Sequence, residues 1–302
     1  MDQLTFIFDQ QPMPLVVHYG AGVDSTAMLV GMAQRGITPD LILFADVGAE
    51  KPETIAYIDT INAWLEGQGM PTVTTVRRFG EDGTHGLRSR PTHAGCEVQH
   101  DGYTTLEGKC RANQTLPSLA YGGHTCSSVF KVEPQQRYLK SWAQGRNVRS
   151  AIGFACTPNE QRRTFRTPKH DSDLVEHWFP LQDWGWDRDR CIEEIQAAGL
   201  PVPIKSACFF CPASKPWELL WLAARHPELF IRAIEIEDLA MPRCKNVEGL
   251  WRSSTKTRSG NWRTWAEGLG FLEGNTITLT SAALLAMAAE EAPQMMQIQE
   301  AA

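Results

Sequence analysis

The sequence predicts an α/β fold: a parallel sheet with helices on both faces, followed by a helical C-terminal region. Short apolar runs alternate with stretches of helical spacing in the order β-α-β-α-β over the first 77 residues, and a glycine-bearing loop joins the first strand to the first helix. Beyond residue 216 the apolar spacing is helical. A chain of 302 residues with 42% hydrophobic content can bury a sizeable core.

Residues 14–19 (PLVVHY) and 40–46 (DLILFAD) read as buried parallel strands, and 71–77 (PTVTTVR) as a third. The helical stretch 24–35 stops at Gly36, and 51–67 carries Pro52 where a first helical turn accepts it. This order requires right-handed crossovers. From about 80 to 125 the pattern breaks into Gly, His, Thr and Cys, which reads as a lid or a substrate-binding excursion. A helix follows at 132–143, a strand at 148–155, a helix at 188–198 ending at Gly199, and one or two helices over 216–240. The Ala/Met/Glu/Gln-rich stretch 281–302 is expected to be a weak helix or partly disordered. The expected organisation is an α/β domain over 1–215 with its insertion near 80–125, a helical extension over 216–280, and a tail.

The formal net charge of -6 argues against bulk electrostatic binding to nucleic acid, although it leaves room for a local basic groove. No run approaches the roughly 18 apolar residues of a membrane span. The start MDQLTFIFDQ lacks the pattern of a secretory signal, so a cytoplasmic protein is expected. The eight cysteines then read as metal-binding, reactive or packing thiols rather than a disulfide framework. Most of the ten tryptophans lie after residue 140, where packing is their simplest use.

The first loop lies in VVHYGAGVDSTAML, residues 16–29. A loop leaving a strand and entering a helix presents free N–H groups and the positive end of the helix dipole, which together favour an anion. Gly20 and Gly22 allow a phosphate close to the backbone, and Asp24 or Ser25 can cap the helix. The alternative is an ordinary capped glycine turn. No Gly-Lys-Ser/Thr follows, so this is not the lysine-bearing phosphate loop.

Gly20-Ala21-Gly22-Val23-Asp24-Ser25 resembles the Ser-Gly-Gly-x-Asp-Ser loop of the PP-loop ATP pyrophosphatase (adenine nucleotide alpha hydrolase) superfamily, departing from it at the first two positions. Further stretches, in order, resemble its phosphoadenosine-phosphosulfate reductase-like branch. FADVGAEKPETIAYI resembles an Asp-Thr-Gly segment before a Pro-Glu-Thr helix start, with Asp46 and Gly48 matching. CSSVFKVEP resembles a Cys-Cys-x-x-x-Lys-Val-x-Pro segment, with Cys126 and Lys131 matching and Ser127 at the second cysteine. IGFACTPNEQRR supplies Gly153, Glu160 and Arg163, with Arg162 as a rival. FPLQDWGWDRDRC resembles the next Pro-Leu-x-x-Trp segment, and GLPVPIKSACFFCP the terminal Cys-x-x-Cys segment.

The resemblance implies a Rossmann-like nucleotide-binding fold. Gly20, Ala21, Gly22, Val23, Asp24, Ser25, Thr26, Asp46, Gly48, Lys131, Gly153 and Glu160 would surround ATP and Mg²⁺, with Asp24, Ser25, Lys131 and Arg163 assisting catalysis. Cys208-Phe-Phe-Cys211 has metal-ligand spacing by itself and suits zinc, an iron–sulfur cluster or a redox dithiol. The resemblance adds Cys126 and tilts the set toward a [4Fe–4S] cluster, with zinc as the alternative. Because Ser127 replaces a thiol, the fourth ligand is either another cysteine, Cys110 being nearest, or one iron is left open.

The related reductases carry a nucleophilic cysteine in a C-terminal Glu-Cys-Gly-x-His segment, and no cysteine follows Cys244 here, whereas Asp24-Ser25 match the ATP-splitting members. The expected activity is therefore cleavage of ATP to AMP and pyrophosphate to activate a substrate for sulfur transfer, as in phosphorothioation or thiolation of nucleic acid. A sulfur-donor protein is a possible partner. The alternatives are a phosphoadenosine-phosphosulfate or adenylyl-sulfate reductase, and a nucleotide-binding sensor or defence-complex subunit. Residues 251–265 (WRSSTKTRSGNWRTW) mix basic residues with tryptophans, which suits either a nucleic-acid surface or a basic loop with its rings in the core; EQRRTFRTPKH at 160–170 is a second basic run.

Overall fold

The computed structural model describes residues 13–78, 105–117, 119–120, 123–167, 170–172, 175–293 and 295–296. In chain order these form β1 (Leu15–Tyr19), α1 (Val23–Gln34), β2 (Leu41–Ala45), α2 (Pro52–Gly67), β3 (Val73–Val76), α3 (Leu106–Asn113), and the hairpin β4 (Leu119–Ala120) and β5 (Gly123–His124). Then come α4 (Thr125–Ser127), a π-helical turn (Ser128–Val132), α5 (Glu133–Ala143), β6 (Val148–Ile152), α6 (Pro158–Arg166), β7 (His170–Ser172), β8 (Val175–Trp178), α7 (Pro180–Asp183) and α8 (Arg188–Ala197). The chain continues through α9 (Pro216–Arg225), α10 (Pro227–Ala240), α11 (Trp262–Gly268), the hairpin β9 (Leu272–Glu273) and β10 (Thr276–Ile277), and α12 (Ser281–Glu291).

The principal sheet has the order β3-β2-β1-β6-β8-β7. β1 pairs in parallel with β2 and β6, and β6 with β8; β7 closes one edge antiparallel. Every residue of β2 is buried, as a central parallel strand covered on both faces requires. The α/β fold expected from the sequence is therefore present. The strands at 170–178 escaped the sequence reading because HDS and VEHW are short and polar.

Two compact units are interleaved along the chain. The first takes the residues up to Phe44, Asp59–Thr74 and Arg137–Leu200; the second takes Ala45–Ile58, Thr75–Gln136 and the residues from Pro201 onward. In the first, α1 packs against α8, and Val16, Val17, Met28 and Leu29 are wholly buried. In the second, Phe210, Phe230, Trp262 and Phe271 centre a core over which α9 and α10 pack.

Pro227 divides the 216–240 stretch into two helices, because its ring cannot continue the hydrogen-bond ladder. Of the two alternatives for the stretch from Ser281, residues 281–291 take the helical one: Thr280 caps α12 through a bond from Ala283 N to its Oγ1 at 3.3 Å, and Leu284 and Ala288 enter the core against α9. Their i, i+4 spacing supplies the buried face that composition alone hid. Part of the 80–125 excursion, and with it Cys96, lies outside the described residues; within it, Thr105 caps α3 (Leu106–Asn113). No helix among the described residues is long and apolar enough to cross a membrane.

Candidate functional site

β1 ends at Tyr19 and α1 begins at Val23, leaving Gly20-Ala21-Gly22 as the whole connection. Ala21 sits at φ 53°, in the left-handed region where a Cβ costs roughly 1–2 kcal/mol. Gly22 is extended and caps α1. Ser25 Oγ is the hub: it accepts from Gly20 N at 3.1 Å and Gly22 N at 3.3 Å, and donates to Gly22 O at 3.1 Å. Two loop N–H groups thus converge on one oxygen at the positive end of a 12-residue helix. The remaining loop residues act through backbone, since Ala21 and Val23 are buried and Thr26 Oγ1 bonds to Tyr19 OH at 3.2 Å in the core.

The end of β6 presses on this loop. A Cβ on Gly153 would lie 3.0 Å from Ser25 Cα and 3.1 Å from both Asp24 O and Ser25 N, so only glycine allows the approach. Asp24 Oδ1 accepts from Arg188 Nη1 at 2.5 Å. Sequence reading missed Arg188, which lies 164 residues away. Its one signal is a cation in the first turn of α8, where the helix dipole disfavours positive charge unless a carboxylate offsets it.

Glu160 and Arg163, both expected at the nucleotide, bind each other through Arg163 Nη1 and Glu160 Oε2 at 2.7 Å. The Arg163 guanidinium lies 4.4 Å from the centre of the Phe154 ring, and Arg162 is exposed.

In the second unit, Asp46 closes its own turn by accepting from Gly48 N at 2.7 Å, and pairs with Arg77 Nη2 at 2.8 Å. Gly48 has φ 68°, and a Cβ there would meet Thr105 Cγ2 at 2.3 Å. Lys131 lies in the π-helical turn after Cys126, an irregularity common at functional sites. Its Nζ bonds to Glu50 Oε1 at 3.0 Å. Burial lowers the Lys131 pKa, but Glu50 and then Cys208 outweigh it and hold the amine above its ordinary value.

Glu50 and Cys208 are partners in an antiparallel backbone bridge, with Phe209 N donating to Ala49 O at 3.0 Å. Burial drives the Cys208 thiol well above its ordinary pKa; Glu50, Cys211 and Cys126 push the same way and Lys131 opposes them. Cys211 is raised first by burial, against a backbone hydrogen bond from Ala213, and it too feels Cys126. Cys110, on α3, is pushed up to about 12 by burial, with Lys109 opposing and Cys126 adding. Cys126 thus lies close enough for its charge to act on Cys208, Cys211 and Cys110 alike. Among the described residues, no three His, Cys, Asp or Glu side chains converge on a point as the ligands of one ion do.

Of the two readings of 251–265, the structure favours the basic loop with its rings in the core. Trp251, Trp262 and Trp265 are buried and pack on one another, their ring centres 5.1 and 5.6 Å from Trp251. Arg263 pairs with Asp238 at 2.5 Å, and Arg258 covers the Trp251 ring at 3.9 Å. Buried Glu237 organises the segment by accepting from the backbone N–H groups of Leu250, Trp262 and Arg263 at 2.7, 2.9 and 3.0 Å. These rings are core, leaving only the charged residues of the loop to meet a partner.

No protein-family model matches the chain, and no curated protein does. Among solved structures, the chain is similar to the U34-tRNA thiolase NcsA from Methanococcus maripaludis with its [4Fe-4S] cluster, at 15% identity and a TM-score of 0.36, over 89% of this chain and 84% of that one.

Proposed function

We propose that the chain is an ATP-splitting enzyme of the PP-loop kind that activates a substrate for sulfur transfer. The observation that carries the reading is the Gly20–Ser25 loop: two N–H groups aimed at one oxygen, a left-handed alanine, and a helix start behind them. Strain of this sort persists where surrounding structure enforces it and is common at ligand clamps. Pyrophosphate oxygens would replace Ser25 Oγ as acceptors, and Asp24, held by Arg188, would face Mg²⁺.

In the reaction a substrate oxygen attacks the α-phosphorus, its bond to pyrophosphate breaks, and the substrate becomes an adenylate. A sulfur nucleophile then displaces AMP. Rate enhancement would come from positioning and from charge stabilisation by the loop N–H groups.

The thiols are read as ligands of an iron–sulfur centre. Their spacing supports this: Cys208 and Cys211 are joined by a tight turn, with Cys211 N donating to Cys208 O at 3.1 Å, and Cys126 lies close enough for its charge to act on both. Such a centre supplies a soft metal for binding sulfur. The chain's own part is to shield it: Phe209 and Phe210 are buried beside Cys208 and Cys211, and Arg232 covers Phe209 at 5.0 Å.

The test is anaerobic reconstitution with metal analysis, followed by an ATP-to-AMP assay with and without nucleic acid. Stoichiometric AMP and pyrophosphate support the reading. Sulfite release from a sulfonucleotide would replace it with a reductase, and nucleotide binding without turnover with a sensor.

A further inference from the structure

We propose that Glu50 supplies a carboxylate oxygen to the metal centre carried by Cys126, Cys208 and Cys211, in the place a fourth thiolate would take. The proposal rests on the iron–sulfur reading above. The Glu50 side chain has 0% exposure, and only one of its oxygens is used, by Lys131. Oε2 is shut off from water and has no hydrogen-bond partner among the described residues. A buried carboxylate oxygen left without a partner is costly, so it calls for one that the described residues do not supply.

The backbone bridge between Glu50 and Cys208 indicates what that partner is. Directly opposed residues of an antiparallel pair project from the same face, their Cβ atoms roughly 4.5–5.5 Å apart. The orphaned carboxylate therefore leaves the backbone beside the thiol of Cys208. Lys131 bonds to the other oxygen and holds the carboxylate in place. Ser127 stands where the resemblance puts a second thiol, so the set of three cysteines is one ligand short. Cys110 is the competitor, buried on α3 and close enough to Cys126 to feel its charge. Iron accepts carboxylate oxygen as well as thiolate, and an iron held by oxygen exchanges its ligand more readily.

The full chain is reconstituted anaerobically with ferrous iron and sulfide, and loss of one iron on mild oxidation is followed by electron paramagnetic resonance. Glu50→Gln should lose that iron at least about tenfold faster than wild type, and Glu50→Cys more slowly. Cys110→Ala should match wild type. Lys131→Met removes the same ion pair but leaves the carboxylate, so it should fall well short of Glu50→Gln. The proposal is overturned if both Glu50 variants match wild type, if Lys131→Met reproduces Glu50→Gln, or if Cys110→Ala is the variant that frees the iron. Failure of wild type to bind iron and sulfide, or full retention by Cys208→Ser, removes the cluster reading and this proposal with it. Circular dichroism on each variant separates ligand loss from misfolding.

Discussion

Gly153 stands against the backbone of Ser25, with room for a hydrogen but not for a methyl group: a Cβ would lie 3.0 Å from Ser25 Cα. The end of one strand thereby fixes the first turn of the helix that follows another. The loop between Tyr19 and Val23 is set by this contact as well as by its own glycines.

Gly153→Ala should consequently displace the loop rather than unfold the sheet. Overpacking of this kind costs about 1–3 kcal/mol. Nucleotide affinity should fall while far-ultraviolet circular dichroism stays unchanged. Isothermal titration with a non-hydrolysable ATP analogue checks it, and wild-type affinity in the variant would show that the contact does not shape the binding site.

The Asp24–Arg188 pair yields a second expectation. Arg188→Ala leaves a bare carboxylate beside the anion cradle, so ATP affinity should drop about tenfold, equivalent to roughly 1.4 kcal/mol. Raising Mg²⁺ should recover part of the loss, because the ion takes over the neutralisation. Equal KM values for ATP in variant and wild type, across Mg²⁺ concentrations, would separate Arg188 from nucleotide binding.

Glu237 should give a measurable pH signature. Burial raises its pKa above 4.5, against the three backbone N–H bonds that lower it. The folded state therefore binds this proton more tightly than the unfolded state. The associated stability is full below about pH 4.5 and is lost as pH rises through the raised native value. Glu237→Gln should cost about 1–3 kcal/mol, because its amide meets the Arg263 N–H donor to donor. The stability gap between the two proteins should narrow with rising pH above about 4.5. Denaturant titrations read through tryptophan fluorescence measure it; a gap that widens contradicts the assignment.

Trp262→Ala tests the core role of the tryptophans in the 251–265 segment. The ring is wholly buried, so its removal should cost about 3–5 kcal/mol. Its dominant effect should be on the melting temperature. A variant of unchanged stability that loses nucleic-acid affinity would return the ring to the surface role.

Much of the fold was legible in the sequence because parallel strands such as LILFA carry an unbroken apolar signal, and because Gly36, Pro52 and Gly199 mark helix ends. The loop's place was legible for a similar reason, since Gly20 and Gly22 mark the tight connection between a strand and a helix. What escaped was everything fixed by partners distant in sequence. Arg188 gained its role from Asp24, and Glu50, in the stretch read as a helix start, from a bridge to Cys208. Lys131, expected at a phosphate, is ion-paired with Glu50 beside the thiols. The tryptophans of 251–265 left two readings open because rings and cations interleaved along a chain look alike whether a core or a ligand takes the rings. Their burial depends on Glu237, which orders the loop from a helix that precedes it.

The reaction at the Gly20–Ser25 loop is tested most directly by following radiolabelled ATP with the anaerobically reconstituted protein. Wild type should release AMP and pyrophosphate in equal amounts, and Asp24→Ala should release neither while retaining its fold. ADP and phosphate as products, or AMP formed equally by Asp24→Ala, would contradict the assignment of this loop as the site where ATP is split.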